Sequence, residues 1–570
     1  MLLHLPPGRQ HSLERFLSLS LFTLVTLPFW LTGAEAQAAT YYVRPTGNDA
    51  ADGMSQQTAW RTLGRPSAVD LNPGDNVLLE GGGAPVIGQL RLSKEDAGTP
   101  SNPVTIGSYG TGRATVQPGD GTGLRIQNAG GIVIHDLVVR GSSRTQNTGN
   151  GIYLLNTLSG GAKLDYVRID NVDVSSFGNA GILVEGRPAD SSQSGWRDVE
   201  ATNCVLHDNE YYGMLVTGVY DFNATTYANS NVNVRGCRAF GNSGDPAYRD
   251  GHSGDGIVLA DTDGGTIERS IAYNNGFLCG SSGGGPVGLW TWDSNNITIQ
   301  NNESYANRSG AATADGGGLD LDGGVTNSKV QYNYTHGNDG AGVLVGSYTW
   351  ALFPTSGNVV RYNVSVNDGR ANGYPGMYVY GDGSGVTNTD IYNNTVYQSP
   401  AASGTPSAVR AERWSGTGGS VRFRNNLLVA DDGVPLLDVP AGMSDLTFQG
   451  NDYWSNYDAF VIKWGDSTYS ALASWRSASG KETLNGNPVG RARNPRLVAP
   501  GSEPTIGDPD RLTALDAYRI RSDSQVRDAG LDLPTSFGLS VGPRDYFGTS
   551  IPQNGAFDIG AAEYPIGPGP

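Results

Sequence analysis

Cysteine is nearly absent: 570 residues contain three, Cys204, Cys237 and Cys279. That is too few for a disulfide scaffold or a Cys-rich metal site, so a large core must hold the chain together. Charge is scarce as well, at 16% of residues, and 38 Lys and Arg stand against 55 Asp and Glu. The net charge of −17 makes nucleic acid a poor partner. No G-x-x-x-x-G-K-[ST], H-E-x-x-H, paired C-x-x-C or G-x-S-x-G pattern occurs, so nucleotide, zinc and serine-hydrolase chemistry lack support. Long apolar runs are limited to one, Leu17 to Leu31, preceded by Arg9 and Arg15 and interrupted by Pro28. Small residues follow as Ala34-Glu35-Ala36 or Ala36-Gln37-Ala38, with no stop-transfer pattern. Residues 1–38 therefore read as an export signal. The mature protein is expected to be soluble and monomeric, secreted outside the cell or into a periplasm, with no membrane contact once the signal is removed.

What is abundant is glycine, 82 residues without a G-x-y period, amid many Asn, Thr and Tyr. This is the composition of a turn-rich β protein. The middle of the chain repeats. "VRIDNVDV", "VEATNCVL", "VRGCRAF", "IERSIAY", "ITIQNNESY", "KVQYNYTH", "VRYNVSV", "DIYNNTVY" and "RFRNNLLV" align on a small polar column: Asn171, Cys204, Cys237, Ser270, Asn302, Asn333, Asn363, Asn394 and Asn426. Spacings of 30 to 33 residues, with short alternating runs and no helical period, predict an all-β solenoid, a right-handed parallel β-helix of about ten coils. Asp136 and Asn451 extend the column at either end. The expected boundaries are 39–118 for an N-terminal cap and first strands, 119–455 for the β-helix, and 456–570 for a C-terminal cap region. The segment 467–480 is the one expected helix. Cys204 and Cys237, in adjacent coils, are close enough for a bridge or are stacked thiols.

A second column of Gly precedes a strand in almost every unit, from Gly123 to Gly376. Residues one and three after it are mostly aliphatic and point inward by strand alternation. Residues two and four after it must then point outward: Trp290/Trp292, Asp320/Asp322, Leu344/Gly346, Tyr378/Tyr380 and Arg410/Glu412 on successive coils. Flat rings beside carboxylates and an Arg suit a sugar chain, because rings stack on apolar sugar faces and carboxylates accept hydroxyl hydrogen bonds. The alternative is a strip of incidental aromatics covered by loops.

"YYVRPTGNDAADGMSQQTAWRTL" near the start and "RDAGLDLP…DYFGTSIPQNGAFDIGAAEY" at the end resemble the caps of secreted β-helix proteins of the pectate-lyase-like superfamily. That superfamily includes polysaccharide lyases, glycoside hydrolases and uronan epimerases. "SGDGIVLA" (253–260) and "DGGGLDLDGG" (315–324) further resemble two elements of Ca²⁺-dependent family 9 pectate lyases, a strand carrying a catalytic Lys and an acidic coil that binds Ca²⁺. The position that would hold the Lys is Ala260.

The resemblance and the strip together give a polysaccharide partner and three readings. In the first, Asp320 and Asp322, alternate residues on one strand with Cα atoms about 6.6 Å apart, act as acid and base in hydrolysis, and Asp293 sets their pKa values apart. Trp290, Trp292, Tyr378, Tyr380, Arg410, Glu412 and His336 would then hold substrate. In the second, the chain is a Ca²⁺-dependent lyase of a uronate polymer, with Asp250, Asp255, Asp261 and Asp263 as the candidate Ca²⁺ group. Asp-Gly turn chemistry explains those four equally. Lys163, Lys329 and Lys463 fall off the strip, which leaves this reading short of a base. In the third, the protein binds glycans without chemistry. His252 and His336 are candidate proton carriers, or ordinary surface histidines.

Overall fold

The computed structural model describes residues 38–565 apart from 313, 384, 413–419 and 444, so the expected export signal lies outside the described residues except for Ala38. The alternating runs form parallel strands stacked in three long sheets of 14, 14 and 13 strands. Coils run beyond the ten or so read from the repeat. The additional ones lie at both ends of the strip sheet, Leu90–Leu92 before the Gly column begins and Leu437–Val439 and Ile462–Trp464 after it ends. The sheet that carries the outward strip runs from Leu90–Leu92 to Ser467–Tyr469, and only its last pair is antiparallel.

Two columns fix the stacking. At Gly151 a Cβ would stand 2.0 Å from Val174 Cγ1 and 2.6 Å from the Gly181 carbonyl oxygen of the next coil; Gly181 meets the Gly213 carbonyl in the same way. Any larger residue would push the coils apart. The polar column forms a buried ladder: Asn302 donates its backbone N–H and Nδ2 to Asn333 Oδ1, Asn333 to Asn363, Asn363 to Asn394 and Asn394 to Asn426. Asn451 continues the ladder, and the buried Glu482 ends it by accepting from Asn451 Nδ2 and the Tyr453 hydroxyl.

The N-terminal end of the column needs correction. Asn171 is exposed, at φ 52°, one residue before the ladder, and the buried Val172 takes the ladder place. Asp136, at φ 55°, is displaced in the same way next to the buried Leu137. Both are turn residues, a role Asn and Asp fill because they tolerate left-handed backbone. Cys204 and Cys237 are free, buried thiols inside the ladder, with the Cys204 N–H donating to Cys237 Sγ.

A second ladder escaped the sequence reading. Asn209, Asn242, Asn275, Asn307 and Asn338 pass the same bonds along and end on Asp368. Helix Leu472–Ser479 inserts Trp475 against Phe448, Tyr453 and Trp464 and closes the C-terminal end of the core. A further short helix spans Leu533–Phe537.

Replacing Asn363 with Ala leaves the Asn333 N–H without its acceptor in the core. Such a group costs about 1–3 kcal/mol. Asn171→Gly, outside the ladder, should change stability by no more than about 0.5 kcal/mol. Urea unfolding of the two variants measures both.

Candidate active site

Strand Gly317–Leu321 pairs with Val287–Trp292 on one side and Val343–Ser347 on the other, with Trp290 in register with Asp320 and Asp320 with Leu344. Alternation aims Asp320 and Asp322 out of the core, as the sequence requires. Loops then roof them, leaving Asp320 4% and Asp322 8% exposed. The roof encloses a cleft of about 510 Å³, whose walls include Asp320, Asp322, Asp315, His252, Tyr348 and Tyr374. Tyr378, Tyr380, Arg410 and Glu412 line its far side.

The two strand carboxyls have different surroundings. Among the described residues no donor reaches Asp320, and its buried Oδ1 has no partner. Burial, then the neighbouring Asp322 and Asp315, hold its pKa well above the carboxylate range. Asp322 accepts a 2.7 Å hydrogen bond from the Tyr348 hydroxyl, and the absence of a side chain at Gly346 makes room for it, since a Cβ there would lie 2.7 Å from Asp322 Oδ1. Burial raises Asp322 to about 6, with His252 and the Tyr348 bond opposing. A neutral Asp320 beside an Asp322 that ionises first is the consequence.

His252 is fixed by its own contacts. Its Nδ1 donates to the Gly285 carbonyl at 2.7 Å, and its ring lies 4.7 Å from that of Trp290. Burial lowers its pKa, but Asp255, Asp322 and Asp315 together outweigh burial and raise it. Asp315 Oδ2 accepts from the Gly285 N–H, and its Oδ1 accepts from the Tyr374 hydroxyl.

The structure relocates several residues singled out above. Trp290 is not a sugar platform: it is 2% exposed beneath His252, with its Nε1 donating to Asp255 Oδ1. Trp292 is half-buried and lines an adjoining chamber with Tyr212, Tyr248 and Trp350. Asp293 Oδ1 accepts the backbone N–H groups of Leu352 and Phe353, so it anchors the loop that carries Tyr348 and Trp350 rather than entering the cleft. His336 lies on another sheet, stacked on Tyr305 and flanked by Glu303 and Glu503. Lys463, expected off the strip, is on the strip sheet in register with Asp438, five coils beyond Asp320 and out of reach of it.

The four Asp read as a Ca²⁺ group do not converge. Asp255 opens strand Asp255–Ala260 and binds Val287 N–H and Trp290; Asp261 lies past its other end and takes the Ala228 N–H. Asp263 accepts from Asn295, and Asp250 borders the adjoining chamber. Among the described residues no three His, Cys, Asp or Glu gather as a metal site.

Comparison with known proteins bears on this scaffold. Residues 122–353 match the family model described as a right handed beta helix region. The chain is a right-handed parallel β-helix. It is 25% identical over 451 residues to a lacto-N-biosidase of Bifidobacterium longum subsp. longum, an alignment taking in 64% of this chain. The chain thereby spans 27% of the length of that curated relative. Among solved structures it is similar to the GH136 lacto-N-biosidase of Eubacterium ramulus, with TM-score 0.50 and 18% identity over 67% of this chain and 68% of that one. Similarity to the pectate lyase Pel9A has TM-score 0.42 and 17% identity, over 93% of this chain and 97% of that one.

The buried carboxyls make stability depend on pH. Burial raises Asp255 and Asp293 to about 7 and Asp322 to about 6 from 3.8. The folded state then holds protons that the unfolded chain releases above about pH 4, so this contribution is complete below pH 4 and is lost as pH rises through 6 to 7. The urea midpoint should be higher at pH 5 than at pH 8. Asp293→Asn, which keeps the acceptor for Leu352 and Phe353, should flatten that slope.

Proposed function

We propose that this chain is an exported carbohydrate-active enzyme that hydrolyses glycosidic bonds of a glycan in the Asp320/Asp322 cleft. The supporting observation is the divided environment of the two carboxyls on one strand. Asp320, reached by no donor among the described residues and protonated, serves as the general acid on the leaving oxygen. Asp322, held by Tyr348 and facing His252, is the carboxylate that activates water or meets the sugar carbon. Residues two apart on one strand face have Cα atoms about 6.6 Å apart, which is of the order of the roughly 6.5–9.5 Å carboxyl separation that admits a water in an inverting hydrolase. The likeness to lacto-N-biosidases is in keeping with a glycosidase.

β-Elimination on a uronate finds less support. The strand position where family 9 lyases carry their base is the buried Ala260. The cleft presents carboxyls, and its Arg410 is paired with Asp438 at 3.0 Å, an arrangement unsuited to a polyanion.

Asp320→Asn and Asp322→Asn should each lower hydrolysis, measured as new reducing ends from a glycan panel, by roughly 10²–10⁴-fold. Full activity in both variants, or products absorbing in the ultraviolet as unsaturated sugars do, would sink the hydrolytic reading; binding without turnover would leave a lectin. Activity needs ionised Asp322 and protonated Asp320, so kcat/KM should fall below about pH 6 and again on the alkaline side. Removing the Tyr348 hydroxyl takes away a bond that favours the Asp322 anion, so Tyr348→Phe should move the acidic limb to higher pH.

Outside the cleft, the rings of Tyr220 and Phe222 are 43% and 68% exposed, and the Tyr220 hydroxyl donates to the carbonyl of Trp350, which lines the cleft. Phe222→Ala should reduce kcat/KM for long chains more than for short ones, because a remote ring holds only a long substrate.

A further inference from the structure

The N-terminal coils of the same sheet carry a charge arrangement found nowhere else on the strip. Strand Leu90–Leu92 buries Leu90 and Leu92 and turns Arg91 outward; strand Leu124–Gln127 buries Leu124 and Ile126 and turns Arg125 outward. The strands are parallel neighbours with Arg91 directly in register with Arg125. Their backbones are thus about 4.8 Å apart, and guanidinium remains charged at any physiological pH. Like charges placed directly opposite on neighbouring strands destabilise a sheet.

Two outward arginines further along the sheets meet carboxylates one coil away. Arg410 faces its register partner Asp438 at 3.0 Å, and Arg422 meets Asp390 at 2.7 Å. Arg91 and Arg125 have no such answer: among the described residues Arg91 bonds to Gln89 and Arg125 to Gln127, both neutral amides. The two acids that share this surface, Glu95 and Asp96, are engaged locally. Asp96 accepts from the Leu71 and Ser93 N–H groups, while Glu95 takes the Ser93 hydroxyl and pairs with Lys94. Arg125 also lies over the ring of Tyr153, 5.7 Å from its centroid, which holds the side chain on the sheet face.

The pair opens on a concavity of about 570 Å³, separate from the carboxyl cleft and lined by Arg91, Lys94, Arg125 and Gln127 together with the locally engaged Glu95 and Asp96. Six coils separate Arg125 from Asp320, roughly 29 Å at about 4.8 Å per coil. We propose that Arg91 and Arg125 form a second glycan-binding site, specific for an oligosaccharide bearing carboxylate or sulfate groups. Forked guanidinium donors match planar or tetrahedral oxyanions, and the coil repeat is close to the length of one sugar unit, so acidic groups on consecutive sugars meet consecutive arginines. A long polyanion is opposed by the net charge of −17, which favours an acidic stretch of limited length on an otherwise neutral chain. The site goes beyond the hydrolytic reading and stands independently of it.

Calorimetric titration of the full chain carrying Asp320→Asn and Asp322→Asn, to stop turnover, tests this. The probes are an oligogalacturonate, a sulfated oligosaccharide of equal length, a neutral maltooligosaccharide and sodium sulfate. At low salt the two acidic oligosaccharides should bind, with affinity falling as salt rises. Adding Arg91→Gln and Arg125→Gln should weaken that binding at least tenfold. Arg91→Gln alone should leave Tm unchanged or raise it, since it removes a repulsion. Unchanged affinity in the Gln variants, no binding of either acidic oligosaccharide, equal binding of the neutral chain, or sulfate alone binding as tightly would each overturn the proposal.

Discussion

Buried amides joined coil to coil, at a spacing only glycine permits at the strand entrances, are the constraint from which the other features follow. Each Asn uses its carbonyl on the coil before and its amide on the coil after, so no rung can shift without orphaning a donor or an acceptor in the core. With spacing and register fixed, every outward side chain has a set place along the sheet. Asp320 stands between Trp290 and Leu344 because those coils can stack in no other phase. The ladders end on acids, Glu482 and Asp368, which accept several donors where no further coil supplies an amide.

The solenoid, its strand alternation and the outward direction of Asp320, Asp322, Tyr378, Tyr380, Arg410 and Glu412 were legible because they follow from a period near 32 and from the two-residue repeat of strands. The second ladder was legible as well, and was overlooked: Asn209, Asn242, Asn275, Asn307, Asn338 and Asp368 each lie five residues after a member of the first, from Cys204 to Asn363. The one-residue slip at Asn171 has a local cause. Asn favours both the buried rung and the left-handed turn before it, and "NNES", "NNTV" and "RNNL" place the two side by side. Where only one Asn is present, as in "DNVD", composition cannot tell which role it fills.

What could not be read was the roof. Alternation gives direction but not cover, and loops between coils here are long enough to fold back over the sheet. The segment around His252 closes over Trp290 and turns an expected platform into a buried prop for Asp255. The loop held by Asp293 brings in Tyr348, an aromatic that belongs to no strand and orients Asp322. His252, Tyr348, Tyr374 and Asp315 reach the cleft by loop geometry, for which the repeat has no phase. Their sequence signals are local: for His252 and Tyr348 the clustering of Gly, Asp and aromatics in "RDGHSGDG" and "GSYTW", and for Asp315 the start of "DGGGLDLDGG".

Burial raises many carboxyls in this protein, so a raised pKa by itself does not mark chemistry. Asp255, Asp261, Asp293 and Asp452 are all lifted to about 7, yet each gives one oxygen to a backbone N–H: Val287, Ala228, Leu352 and Arg493 in turn. Their burial is offset by a structural bond, and removing the carboxyl would release a loop or a strand end. Asp320 differs from all four. It is as deeply enclosed, receives no donor among the described residues, lies beside two further acids and borders open volume. A neutral carboxyl without a structural bond contributes nothing to the fold that an apolar side chain would not contribute better. That carboxyl faces whatever enters the cleft, and Asp322 beside it is held by a hydroxyl that itself comes from the roof.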